Sequence, residues 1–141
     1  LPICRQLHHE ETQDDIALRL RADSIDSLNQ VEIRQILKEH GFPKKTEVGT
    51  SACEAAWIII QHAPLDVQKE YLPMLERAAT EGNIQAALVA ALHDRIDVRE
   101  GRPQKYGTQR NHNGICPLLN KKMVNQWRKE VGLPPLDEYS K

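Results

Sequence analysis

The strongest constraint on this chain is a set of polar side chains placed where a fold of 141 residues needs apolar ones. The most hydrophobic run, Ala55-Ala56-Trp57-Ile58-Ile59-Ile60, ends in Gln61-His62. Gln68 falls on the apolar side of the next segment, and Asp94-Arg95 interrupt the pattern of a third. A turn-rich stretch follows, Gln104-Lys105-Tyr106-Gly107-Thr108-Gln109. Burying amide or charged groups is costly unless each finds a partner. A fold that accommodates these residues joins them in a shared network or spends them on a site.

The length suits one domain with its own core, and the chain reads as a single helical domain over residues 1–141. A net charge of -1 supplies no global field toward nucleic acid or an anionic membrane. Lys121, Lys122, Arg128 and Lys129 are a local basic cluster, read as the solvated face of a last helix. Aromatic residues make up only 4%, too few for a platform that stacks single-stranded bases. Cys4, Cys53 and Cys116 lack zinc-site spacing, and their odd number argues against a disulfide framework. Cys53 reads as a small buried hydrophobe. No apolar stretch approaches the ~20 residues of a membrane span, so no membrane partner is expected. There is no signal peptide, and the chain starts at Leu1-Pro2 without an initiator Met. We read it as a fragment or processed form, cytoplasmic by default, with a secreted effector or toxin domain as the alternative.

Hydrophobic periodicity predicts helices over about 3–22 and 31–40, separated by a break at 23–29. Ile33, Ile36, Leu37 and His40 share a face of the second, which Gly41 and Pro43 end. A third helix over 51–63, with Ser51 and Glu54 spaced as a capping box, is apolar nearly all round and belongs at the centre. The next segment runs from Pro64 to Gly82, with Pro73 expected to kink or split it. Asn83 is expected to cap a fifth helix reaching Gly101. Asn111, Asn113 and Gly114 separate 104–109 from 115–119, which predicts a hairpin. A last helix covers 120–131 and stops at Gly132 and Pro134-Pro135. The fold class is therefore mainly α, a compact bundle of five to six helices with one small β-hairpin near residues 104–119. The expected core holds Ile33, Ile36, Leu37, Ala55, Trp57, Ile59, Ile60, Leu72, Leu75, Leu88, Leu92 and Trp127.

His62, at a helix end beside a polar loop, is the first catalytic candidate, since an imidazole exchanges protons near neutral pH. Its structural reading is a cap on its own helix carbonyls. Asp94 and Arg95 stand about 100° apart on a helix and so serve different partners. Asp94 is a candidate orienter of His62 or second carboxylate, and Arg95 a fork for a phosphate or carboxylate. An internal salt bridge, with Asp15 or Arg19 as partner, is the competing reading. In an extended run Gln104, Tyr106 and Thr108 share one face, as on a substrate-reading edge, and Gly107 permits close backbone approach. A polar hairpin that satisfies helix ends explains the same residues. Substrate-positioning roles fall to Gln61, Gln68, Gln104, Tyr106, Thr108 and Gln109. No cofactor is predicted. A divalent metal on His62, Asp66 and Asp94 is the weaker reading, and His8-His9-Glu10-Glu11 reads as a solvated helix face.

Taken in order, Val48-Gly49, Ala55-Ala56-Trp57, Gln61-His62-Ala63, Asp94-Arg95, Gly101 with Gln104-Lys105-Tyr106-Gly107-Thr108-Gln109, and Val131-Gly132-Leu133-Pro134-Pro135-Leu136 with Tyr139 resemble a bacterial domain family of unknown function. His40-Gly41-Phe42-Pro43 and Gln68 also match. The resemblance covers most of the chain from Val31, and more weakly Asp15 and Arg19. Two positions depart from it. Pro64 stands where the family tends to have Asp, and Ala91 where it tends to have Tyr. The resemblance implies a mainly helical bacterial domain and brings no established activity.

Two functional readings follow. One is a hydrolase or transferase with a polar cleft around His62, Asp94, Arg95 and the 104–109 stretch, acting on a phosphate-containing substrate. Arg95 together with the basic residues Arg102, Lys105 and Arg110 suggests that substrate class, and nucleic acid stays open as a partner. The other is a non-catalytic module that binds a protein partner, its polar residues forming a structural network.

Overall fold

The structure is a computed structural model and describes residues 12–137. The expectations for residues 3–11, Cys4, the His8–Glu11 cluster and Tyr139 lie outside them. The elements in order are α1 (Gln13–His40), α2 (Lys45–Val48), α3 (Thr50–Gln61), α4 (Leu65–Thr80), α5 (Ala86–Arg99), β1 (Arg110–Asn111), β2 (Gly114–Ile115) and α6 (Val124–Glu130). The expected mainly helical fold with one small hairpin is found.

α1 is one continuous helix, without the break expected at 23–29. Thr12 and Asp15 form a capping box at its start, so Asp15 serves the cap. Ser24 and Ser27, within the expected break, donate their hydroxyls to Leu20 O and Asp23 O one turn back, at 2.9 and 2.8 Å. No Gly or Pro interrupts the span. α1 is anchored toward its C-terminal end, through buried Ile33 and Leu37 and a hydrogen bond from Gln30 to Ile59 O.

α4 and α5 pack together, and α3 touches α1, α2, α4 and α5. Cys53, Ala56 and Ile60 of α3 are buried, yet Ile58 is 49% exposed and Ala55 also faces solvent. The helix is apolar all round, but its neighbours cover only one side. No side chain caps α3, so the expected Ser51–Glu54 box does not form. Pro73 lies inside α4 without ending it, because Pro73 and Lys69, whose carbonyl loses its partner, both face solvent. α5 starts at Ala86 rather than after Asn83, whose Oδ1 is taken by Lys45 N at 3.0 Å.

Of the expected core, Ile33, Leu37, Ile60, Leu75 and Leu92 are buried. Trp57, Ile59, Leu72 and Leu88 pack half-buried against them. Ile36 (41% exposed) and Ala55 lie outside, and Trp127 is half-buried away from the main cluster. Cys53, Ala56, Ala63, Val67, Tyr71, Ala78, Ile84, Val89 and Ile96 complete the cluster.

Cys53 is buried as expected, its thiol facing Pro43 O at 3.5 Å. Burial pushes its pKa up, which suppresses the nucleophilic thiolate. In native protein Cys53 should therefore resist a thiol reagent and label only on unfolding, which peptide-resolved mass spectrometry reads directly.

Candidate functional site

The polar residues that opened the problem divide into two groups. The first is internal and fully employed. Asp94, on α5, is completely buried. Its Oδ1 accepts from the backbone N–H groups of Lys105 and Tyr106, both at 3.0 Å. Its Oδ2 accepts from Thr108 N at 3.1 Å and from Thr108 Oγ1 at 2.8 Å. Gln104, also completely buried, donates to Gln109 O and Cys116 O, both at 2.9 Å, and accepts from Gln109 N at 2.8 Å. The chain over 104–109 is thus wound around two side chains. It makes a single bridge, Gln104 with Leu118, and the paired strands begin only at Arg110. The extended run expected to place Gln104, Tyr106 and Thr108 on one face is replaced by this coil. Backbone N–H groups that a strand would pair are drawn to the Asp94 carboxylate instead.

Arg128 closes the coil from the other side. Its Nε donates to Pro134 O at 2.6 Å and its Nη1 to Tyr106 O at 2.7 Å. It is 8% exposed, not on the solvated face expected of it. Burial draws its pKa down most, Asp94 opposes that shift, and Arg110 adds to it. Gln68, buried between α3 and α5, donates to Gln61 O at 2.8 Å and accepts from Arg99 Nη1 at 3.0 Å. Arg99 Nη1 also reaches Ala63 O at 2.9 Å. These bonds tie the α3–α4 turn to α5.

The second group lines an open cleft of about 1200 Å³ between the free half of α1 and the body. His62, Arg95, Arg99, Gln109 and Arg110 face it from the body. Asp23, Asp26 and Gln30 face it from α1. His62 is the C-cap residue of α3, and its ring is exposed. Arg95 is half-buried, and its Nε is buried without a hydrogen-bond partner. Among the described residues no carboxylate pairs with Arg95 or Arg99. Burial and then the neighbouring Arg99 charge lower the Arg95 pKa. Gln30 holds Ile59 O through Nε2 at 2.6 Å, while its Oε1 is buried without a partner.

Of the residues singled out in the sequence for the site and its charge, His62, Arg95, Gln109 and Arg110 line this cleft. Asp94 does not orient His62, since its oxygens are held by the coil. Gln61 is 9% exposed and does not line the cleft; its carbonyl supports Gln68. Tyr106 lines a separate depression of about 150 Å³, edge-on to His93 with ring centroids 6.1 Å apart. Arg99, Asp23, Asp26 and Gln30 were missed. For Arg99 the signal was its place one helical turn after Arg95. For the α1 residues there was none, because the expected break hid the wall they form.

The metal set expected as the weaker reading, His62, Asp66 and Asp94, does not assemble. The cluster of ligand type among the described residues is His93, Asp94 and Asp97, with candidate atoms within 4.8 Å. Three of its four carboxylate oxygens already accept hydrogen bonds. Asp94 holds four donors, and Asp97 Oδ1 accepts from Arg102 Nε and Nη2 at 3.2 and 2.8 Å. Asp97 Oδ2 lies 3.2 Å from His93 Nδ1.

Residues 3–141 match the Family of unknown function (DUF6624), and the chain belongs to it. No curated protein matches the chain, and no solved structure does.

Proposed function

We propose that this member of DUF6624 binds a phosphate-bearing ligand in the cleft beside α1, and that His62 moves the proton in a hydrolysis or group-transfer step. The observation that carries this reading is the pair Arg95 and Arg99. Two guanidinium groups one turn apart repel by a few tenths of a kcal/mol in ordinary helices, that is ~0.2–0.5. Here no carboxylate among the described residues neutralises either, and one of them keeps a buried N–H unpaired. A phosphate answers both deficits, because its oxygens match the planar fork of arginine and its charge offsets the repulsion.

His62 lines the same cleft with an exposed ring. In hydrolysis its imidazole accepts a proton from the attacking water as the new P–O bond forms. The old P–O bond breaks, and the leaving oxygen takes the proton from the imidazolium. In transfer, an acceptor hydroxyl replaces water. Asp94 is a positioning residue in this account, since it fixes the coil that presents Gln109 to the cleft.

The test is a thermal-shift titration with inorganic phosphate, paired with hydrolysis of bis-para-nitrophenyl phosphate. Wild-type protein should be stabilised by phosphate in proportion to its occupancy. Arg95→Ala should bind phosphate about 10- to 100-fold more weakly, the loss of a charge-assisted bond of ~1.5–3 kcal/mol. His62→Ala should retain binding and lose turnover by about 10²–10⁴-fold. Wild-type protein that neither shifts nor hydrolyses, or Arg95→Ala that binds as wild type, would overturn the reading.

A further inference from the structure

The half of α1 that walls the cleft is nearly bare. From Gln13 to Leu28 only Ile16 is even half-buried. Leu18, Leu20, Ile25, Leu28 and Val31 are 58–71% exposed. A helix of this length without packing is marginal in water. Three of these five, Leu18, Ile25 and Leu28, share one face, and Leu20 and Val31 lie off it. At about 100° per residue, Leu18, Arg21, Ile25, Leu28, Glu32 and Gln35 form one stripe with alternating steps of three and four, the a and d positions of a heptad. That stripe is turned about 130° from the side carrying Ile33 and Leu37, which holds α1 to the body.

We infer that α1 pairs with α1 of a second copy of this chain as an antiparallel two-helix coiled coil. The charges on the stripe select that partner and that orientation. With the two-fold axis between residues 26 and 27, Ile25 faces the partner's Leu28 and Leu18 faces the partner's Gln35. Arg21 then faces the partner's Glu32, and the same contact recurs across the axis. Arg21 and Glu32 are both exposed and have no partner among the described residues of their own chain. A parallel in-register pair would instead set Arg21 against Arg21 and Glu32 against Glu32, a like-charge arrangement that disfavours it. The next pair outward, Asp14 with Glu39, is like-charged and ends the seam. The interface leaves Asp23, Asp26 and Gln30 turned toward the cleft, so it is independent of the ligand proposed there.

Sedimentation velocity of the 141-residue chain between ~1 and ~200 μM tests the assignment, the upper limit corresponding to weak association. Wild-type protein should dimerise within this range. R21E and E32R should each weaken the dimer at least about tenfold by setting like charges face to face. The R21E/E32R double variant exchanges the two charges and should recover wild-type association. Ile25→Asp should be monomeric with an unchanged melting temperature of the body, because Ile25 is exposed in the single chain. A wild-type chain that stays monomeric at the highest concentration overturns the inference and leaves the stripe to a different chain. A dimer insensitive to R21E and E32R, or a double variant that fails to recover, also overturns it.

Discussion

Asp94→Ala is expected to destabilise the protein by about 3–5 kcal/mol, the range for removing one partner from a buried charged network. Four donors converge on this carboxylate, three from backbone and one from the Thr108 hydroxyl. Removing it strands all four inside the molecule, and the buried cation Arg128 loses a nearby opposing charge. Asp94→Asn keeps the shape but turns one oxygen into a donor aimed at donors, so a smaller loss of ~2 kcal/mol is expected. Urea denaturation followed by circular dichroism measures both. A directly catalytic Asp94 predicts the opposite signature, lost turnover at unchanged stability. Both variants within ~0.5 kcal/mol of wild type would refute the role given to this residue.

Gly107→Ala is expected to cost about 2–5 kcal/mol, from two sources that add. Gly107 has φ 69°, where a β-carbon costs an L-residue ~1–2 kcal/mol. An added Cβ would also stand 2.7 Å from Leu136 Cδ1 and 3.2 Å from Leu118 Cδ2, an overlap worth ~1–3 kcal/mol. Leu136 cannot simply swing away. It is 6% exposed, and its backbone N–H is held by Asn125 Oδ1 at 2.8 Å. The overlap can be separated from the backbone strain by a double-mutant cycle. Leu136→Ala removes the clashing methyl, so the Gly107→Ala/Leu136→Ala variant should lose less than the sum of the two single losses. Strict additivity would show that the close approach to Leu136 is not what selects glycine.

These two residues show how the coil over 104–109 works. Asp94 pulls its backbone N–H groups inward, Gln104 closes its ends, and Gly107 lets the C-terminal Leu136 lie on top. Arg128 then ties the coil to Pro134. The separate motifs Asp94-Arg95, Gln104–Gln109 and Leu133-Pro134-Pro135-Leu136 are one contact set in space. Arg95, the neighbour of Asp94, points into the cleft instead, as a helical step of about 100° requires.

Much of the fold was legible because it depends on local signals. Apolar periodicity located α3, α4 and α5, and Asn113-Gly114 marked the turn between β1 and β2. The sequence alone also identified the unusual polar residues, since a buried amide or charge is conspicuous in any amphipathic pattern. It could not decide which of them were structural. Asp94 and Arg95 are adjacent in the chain and equally polar, yet one is surrounded by donors and the other keeps a buried N–H without a partner among the described residues. That distinction depends on the coil returning across α5, a contact between residues far apart in sequence. The continuity of α1 was likewise undetermined, because Ser24 and Ser27 can cap a helix or bond back within one. Only the packing of Ile33 and Leu37, with the rest of α1 extended past His62 and Arg95, made the cleft and left one face of that helix uncovered.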